Sequence, residues 1–302
     1  MTDPVPVPRL GFSLAPEATH LHAILEAAAD ADRRGLDLFG VQDHPYQARF
    51  VDTWTLLSAV AARTDRLRVF PDVACLPLRQ PAMLAKAVAT LDLISGGRAE
   101  LGIGAGGFWD AIAAMDGPRR SPGEAVAALE EALDVIALLW SDERSARYPG
   151  RHYRLAGVHP GPRPSHAVGI WIGALGPRML RLIGRRATGW IPSSGYLPPD
   201  KLPPSLAVID EAALAAGRDP RDIRRIYNVG GEITAPGTAE QGWFTGPVVA
   251  WVDQLVRLTS DVGLTDFVFW PTAEPARQLA LFAEEVAPEV RAAFPADPRR
   301  RP

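Results

Sequence analysis

Residues Ser95–Asp110 read SGGRAELGIGAGGFWD: a short apolar run, Ala99–Ile103, ends directly in a cluster of glycines followed by Phe108 and Trp109. Glycines at the end of a strand let backbone N–H groups approach a bulky ligand closely, and the two aromatics stand beside that cluster. The stretch therefore predicts a strand-to-loop junction that receives something flat and phosphorylated. Gly102, Gly104 and Gly107 also satisfy G-x-G-x-x-G, the dinucleotide fingerprint. The surroundings oppose that reading, because the next clear strand begins only at Gly169 and no acidic residue closes an adjacent strand about 20 residues on. By itself such a cluster is equally a tight turn.

Outward from this junction, short apolar runs alternate with helical patterns along the whole chain. Strands are expected near Leu10–Leu14, Leu36–Val41, Leu67–Ala74, Ala99–Ile103, Gly169–Ile172, Gly189–Ile191, Ile223–Val229 and Asp266–Trp270. Helices are expected at Leu21–Arg34, Thr53–Ala62, Met83–Ile94, Pro122–Trp140, Pro177–Arg186, Lys201–Ala216, Pro247–Val262 and Pro275–Phe294. The helix after Arg120 has the clearest start, with Ser121 as N-cap, Pro122 at the first helical position and Glu124 completing a capping box. Eight strand–helix repeats in 302 residues fit an α/β protein of the closed (β/α)8 barrel type better than an open sheet. We expect one domain over residues 1–302, with a frayed tail at 297–302. The alternation breaks at 141–168, a polar stretch rich in Pro, Gly, Arg and His between the fourth helix and the fifth strand. Such an insertion is either a lid that shapes a substrate pocket or a solvated excursion holding a short β-ribbon.

Composition narrows the partners. A hydrophobic content of 47% supports a large core, and a net charge of -3 with pI about 6.1 opposes nucleic acid or an anionic membrane as the main partner. Cys75 is the single cysteine, which rules out an intrachain disulfide and a cysteine-based zinc site. No secretory leader pattern and no apolar run of about 18 residues occurs, so a cytoplasmic protein is expected. The histidines show no metal-ligand spacing, and G-x-S-x-G and Walker A are absent, so metallohydrolase, serine hydrolase and P-loop chemistry have no support.

Three further stretches carry candidate chemistry. Asp43 and His44 follow the second strand as VQDHP, at the rim where barrel active sites lie. They form either a structural pair or a working one, in which His44 moves a proton near neutrality while Asp43 accepts hydrogen bonds from a heterocycle or holds the imidazole. Trp171–Arg178 reads WIGALGPR, a strand, two glycines and Pro177 opening a helix. Free N–H groups and the helix dipole there make either a phosphate cradle assisted by Arg178 or a plain βα turn. After the third strand comes DVACLPLRQP, where Cys75 reads as a packed side chain and Arg79 as an anion ligand or a salt-bridge partner. Trp54, Trp109, Tyr196, Trp243 and Trp270 are candidate pocket aromatics, although large aromatics in a barrel are mostly core.

With those residues in view, the chain resembles the bacterial luciferase-like superfamily, in particular its actinobacterial deazaflavin (coenzyme F420)-dependent oxidoreductases. The resemblance is carried by GVQDHP (Gly40–Pro45), LPLRQPAMLAKAVATLDLISGGRAELGIGAGGFWD (Leu76–Asp110), HPGPRP (His159–Pro164), IWIGALGPRMLRLIGRRATGW (Ile170–Trp190) and FAEEVAPEVR (Phe282–Arg291). It implies a (β/α)8 barrel with the ring at its C-terminal mouth. It further implies that Asp43 bonds the deazaflavin, that His44 faces the substrate as proton donor, and that Ala105, Gly106 and Gly107 line the ring or its side chain. Gly173, Ala174, Leu175, Gly176, Pro177 and Arg178 are implied to take the phosphate, and Asp72–Val73 matches the place of a non-prolyl cis peptide behind the ring.

The resemblance implies hydride transfer between F420 and a small unsaturated, carbonyl or imine substrate. The alternatives are an FMN-dependent monooxygenase fed by a separate reductase and a non-catalytic carrier of the cofactor. Members that oxidise a sugar phosphate carry a Glu where this chain has Gly107, and an aromatic where it has Ala48, which opposes a sugar-phosphate substrate. The Asp-His-Pro ending of the second strand favours deazaflavin over FMN. A homodimer is the expected assembly.

Overall fold

The computed structural model describes residues 6–294, so the tail expected to fray at 297–302 lies outside the described residues. The strands in chain order are β1 (Arg9–Ser13), β2 (Leu38–Val41), β3 (Arg68–Pro71), β4 (Ala74–Cys75), β5 (Leu101–Gly104) and β6 (Ala146–Pro149). They continue with β7 (Arg154–Val158), β8 (Ile170–Ile172), β9 (Gly189–Trp190), β10 (Arg224–Ile233), β11 (Thr245–Gly246) and β12 (Asp266–Pro271). The helices that matter here are α1 (Leu21–Arg33), α2 (Thr53–Ala61), α3 (Pro81–Ser95), α4 (Trp109–Ala114), α5 (Pro122–Leu139) and α6 (Pro177–Arg186).

Nine parallel segments run in the order β3-β2-β1-β12-β10-β9-β8-β5-β4, and a parallel bridge between Val69 and Ala99 brings the two edges together. The barrel strands are buried on both faces, which is why they read as unbroken apolar runs and why helices follow them as crossovers. The third strand, expected as one piece over Leu67–Ala74, is two: β3 pairs with β2 and β4 with β5, and the Asp72–Val73 peptide between them is cis. Gly102 sits where that crossing is tightest, since a Cβ there would lie 2.1 Å from the Pro71 carbonyl oxygen. β10 runs four residues past the expected Val229, and Thr245–Gly246 pairs beside its end.

Inside the barrel, Leu38, Phe70, Trp171, Ile191, Ile226 and Val268 form an apolar plug, with the Phe70 and Trp171 rings edge-on at 4.9 Å. The Ser95–Asp110 stretch spans the barrel from base to mouth. At the base, Gly96 closes α3 at φ 66° and Arg98 donates to the carbonyls of Ala61, Thr64, Leu67 and Ser95, tying the start of the barrel together. At the mouth, Ala105–Phe108 leave the sheet as the loop before α4.

The capping box on α5 is present, with the Ser121 backbone N–H donating to Glu124 at 2.9 Å. Residues 141–168 hold the antiparallel β6–β7 ribbon. It lies on the outer side of α5: the Tyr148 hydroxyl donates to Asp134 at 2.9 Å, and the Glu131 carboxylate accepts from the backbone N–H groups of Arg151, His152 and Tyr153.

Candidate functional site

The strand ends open into a cavity of about 450 Å³, and ten of the residues expected at a ligand site line it: Asp43, His44, Asp72, Val73, Ala105, Gly106, Gly107, Gly173, Ala174 and Leu175. A second cavity of about 310 Å³ shares Ala105 and Gly106 with the first and is walled by Gly176, Pro177 and Arg178. The residues thus meet as two adjoining lobes, one over the barrel axis and one at the start of α6. No residue of 141–168 lines either lobe.

Glycines give the lobes their form. Gly104 and Gly173 hold the Val73 side chain between them, since a Cβ at either would lie 2.9 Å or 3.1 Å from a Val73 methyl, and Val73 is thereby fixed as the back wall. Gly106 turns the loop at φ 99°, where any side chain would also meet Pro77 and Trp109. Gly107 and Gly176 differ: no atom of the described residues lies within 4 Å of a Cβ built on them, so both face open space. Gly176 is the N-cap of α6 with Pro177 behind it, and Arg178 is exposed beside it. Unpaired N–H groups at the start of a helix, with a cation alongside, suit a phosphate.

Asp43 is 2% exposed and its carboxylate is largely spent within the protein. It accepts from Arg79 Nη2 at 2.7 Å and Nε at 3.1 Å and from the Cys75 backbone N–H at 2.9 Å, which leaves one acceptor position on Oδ1. Arg79 continues to Asp52, the N-cap of α2, at 2.7 Å. Of the two readings of Arg79, the salt-bridge partner is therefore the one the geometry adopts. Burial opposes its charge, but hydrogen bonds and the fields of Asp43 and Asp52 prevail and raise its pKa further. The network clamps the ends of β2 and β4 to α2.

His44 stands at the lip of the main lobe. Its Nδ1 meets the Tyr46 hydroxyl at 2.5 Å, and Phe108 packs edge-on with ring centroids 5.6 Å apart. Burial lowers the His44 pKa, against a smaller opposing effect of the Asp43 charge, so the ring is neutral at pH 7. Asp72 lies deeper. Asn228 Nδ2 donates to its Oδ1 at 3.1 Å and to Ser193 Oγ at 3.2 Å, while Asp72 Oδ2 and Asn228 Oδ1 have no partner among the described residues. Burial pushes the Asp72 carboxyl up to about 7, with the Asn228 bond pulling weakly the other way.

A sequence model described as luciferase-like monooxygenase matches residues 8–230. The chain belongs to that family. A curated relative, F420-dependent glucose-6-phosphate dehydrogenase from Nocardia farcinica (strain IFM 10152), is 31% identical, with 94% of this chain and 98% of the relative covered. Among solved structures, an F420-dependent secondary alcohol dehydrogenase in complex with an F420-acetone adduct superimposes with a TM-score of 0.82 at 18% identity, over 94% of this chain and 99% of that one. The oxygenating constituent of 3,6-diketocamphane monooxygenase of Pseudomonas putida, in complex with FMN, gives 0.76 at 19% identity over 94% and 99%. These two share the barrel fold of this chain.

Within the luciferase-like family frame, sequence reasoning missed Tyr46, Ser193 and Asn228. Tyr46 was visible as the aromatic hydroxyl two residues after a candidate histidine; Ser193 and Asn228 carried no local signal, since only strand pairing brings them to the mouth. Of the candidate aromatics, Tyr196 lines the main lobe and Trp109 the second. Trp54 and Trp270 pack against core clusters instead. Among the described residues, no helix is long and apolar enough to cross a membrane.

Proposed function

We propose that this chain is an oxidoreductase that binds coenzyme F420 across the two lobes and exchanges a hydride with an uncharged small molecule at His44. The observation that carries the reading is the two-lobed cavity itself: a glycine-shaped slot against Val73, continuous with a helix start suited to phosphate, and a neutral imidazole at its lip. The F420-dependent Nocardia relative supports the choice of cofactor. When bound, the deazaflavin supplies the hydride chemistry. The protein's part would be to support the ring at Val73, to leave room for it at Gly107 and Gly176, to exclude water on the barrel side, and to place His44 against the substrate.

The substrate is proposed to differ from the relative's sugar phosphate. Among the described residues lining the main lobe there is no Lys or Arg, and the nearby Arg79 is consumed by Asp43 and Asp52. The free surface is instead His44, Tyr46, Phe108 and Tyr196, which suits a neutral, partly apolar carbonyl, imine or unsaturated compound. A cytoplasmic setting is part of the same proposal, supported by the single, buried, unpaired Cys75.

Binding titrations of the cofactor-free protein with F420 and with FMN, followed by fluorescence, test the reading. Tight binding of F420 with weak binding of FMN is expected. Preference for FMN, with oxygen consumed when reduced FMN is supplied, moves the chain to the monooxygenase reading and overturns this one. Reduced F420 that binds but is never oxidised by a panel of ketones, imines and enones leaves a carrier.

A further inference from the structure

The hydrogen bond between His44 Nδ1 and the Tyr46 hydroxyl is the feature of the mouth that neither the clamp nor the cofactor cradle uses. A phenol donates a hydrogen bond better than it accepts one, and an unprotonated imidazole nitrogen is a strong acceptor. The bond a ring nitrogen makes decides where the single proton of a neutral imidazole sits. Tyr46 stays protonated, and so able to donate, because burial and the nearby Cys75, Asp43 and Tyr196 hold its ionisation well above the ordinary range. Nε2 has no hydrogen-bond partner among the described residues, and His44 lines the cavity.

We propose that Tyr46 is a positioning residue that fixes neutral His44 as the Nε2–H tautomer, so that the mouth presents its substrate with a hydrogen-bond donor rather than a lone pair. This rests on the reading of the mouth as the reaction site and sharpens it. The group recognised at His44 is an acceptor atom, the oxygen of a carbonyl or the nitrogen of an imine, on which negative charge builds as a hydride from the reduced coenzyme reaches the adjacent carbon; the ring stabilises that charge with its N–H while keeping its own proton, and the proton that completes the product comes from solvent at the cavity lip. An alcohol oxygen also accepts from this N–H, but oxidation of the alcohol would need a ring lone pair to take the hydroxyl proton, and the Nε2–H tautomer turns none toward the substrate. The groups facing the pair are the buried Asp43, with Arg79 as its countercharge, Cys75 and Tyr196, and across the cavity Asp72. None of the described ones hydrogen-bonds Nδ1 in place of Tyr46.

The test uses full-length cofactor-free protein labelled with 15N-histidine, in which only six histidines contribute to a long-range proton–nitrogen spectrum and His44→Gln assigns the signal. Wild-type His44 is expected to show a pyridine-like Nδ1 and a pyrrole-like Nε2. In Tyr46→Phe the two nitrogens should average toward a tautomer mixture, and the His44 titration midpoint should rise by about one pH unit, because donation to Nδ1 stabilises the neutral ring. With reduced F420, kcat for ketone reduction should fall about tenfold in Tyr46→Phe, and its pH profile should move with the His44 midpoint. A wild-type ring protonated on Nδ1, or a spectrum and midpoint unchanged in Tyr46→Phe, overturns the proposal. If Tyr46→Phe does not fold, the wild-type tautomer decides alone. The spectra contain no cofactor, so failure of F420 binding and failure of the tautomer are separate results.

Discussion

Replacing Asp72 by Asn should stabilise the protein, and by an amount that grows with pH. The carboxyl is buried, accepts one hydrogen bond from Asn228, and has an unpartnered Oδ2, so its charged form is poorly solvated and its pKa stands at about 7 against an ordinary 3.8. An acid whose folded value lies above its unfolded value favours the fold only while protonated. Below about pH 4 both states carry the proton and the group costs nothing. Between about 4 and 7 only the unfolded chain ionises, and each pH unit costs the fold about 1.4 kcal/mol. Above about 7 the cost levels at about 4 kcal/mol, the product of about 3 pH units and that slope. Asn keeps the Oδ1 acceptor for Asn228 and carries no charge, so Asp72→Asn should gain about 2 kcal/mol at pH 5 and about 4 kcal/mol at pH 8 relative to wild type. Urea unfolding of both proteins at four pH values between 5 and 8 measures this. A difference that is flat with pH, or that shrinks as pH rises, refutes the reasoning and means that Asp72 is ionised and compensated in the fold.

Arg79→Ala should cost about 3 kcal/mol in urea unfolding, because it leaves the buried Asp43 carboxylate with only the Cys75 N–H; a loss below about 1 kcal/mol would show that water replaces the guanidinium. Gly107→Ala should leave stability within about 0.5 kcal/mol, since no atom lies near the new methyl, yet weaken F420 binding about tenfold or more in a fluorescence titration. Equal affinity in that variant removes Gly107 from the binding surface. Ser121→Ala should lower stability by about 1 kcal/mol through loss of the α5 capping box, with F420 affinity unchanged.

The features that local chemistry dictates were legible in the sequence alone. Apolar runs of strand length between amphipathic helices dictated the barrel, the Ser-Pro-Gly-Glu start dictated where α5 begins, and the strand-to-glycine junctions at Gly104 and Gly173 marked where a ligand could approach backbone. Because loops after parallel strands gather at one end of a barrel, candidate residues from four separate stretches were bound to converge. The tertiary structure decided what each side chain does there. The sequence leaves Asp43 as a structural residue, an acceptor for a heterocycle or a support for His44, and only in the fold does Arg79, 36 residues on, reach its carboxylate once β2 and β4 are in place. In the sequence Asp72 stands only as half of the expected cis peptide; that its carboxyl is buried against Asn228, 156 residues away on β10, is set by the tertiary structure. The 141–168 insertion reads as lid or ribbon alike, and only the Glu131 and Tyr148 contacts lay it along α5. Local periodicity fixes which backbone becomes strand or helix; burial, charge pairing and tautomer are set by neighbours distant in the chain, so only the closed barrel could reveal them.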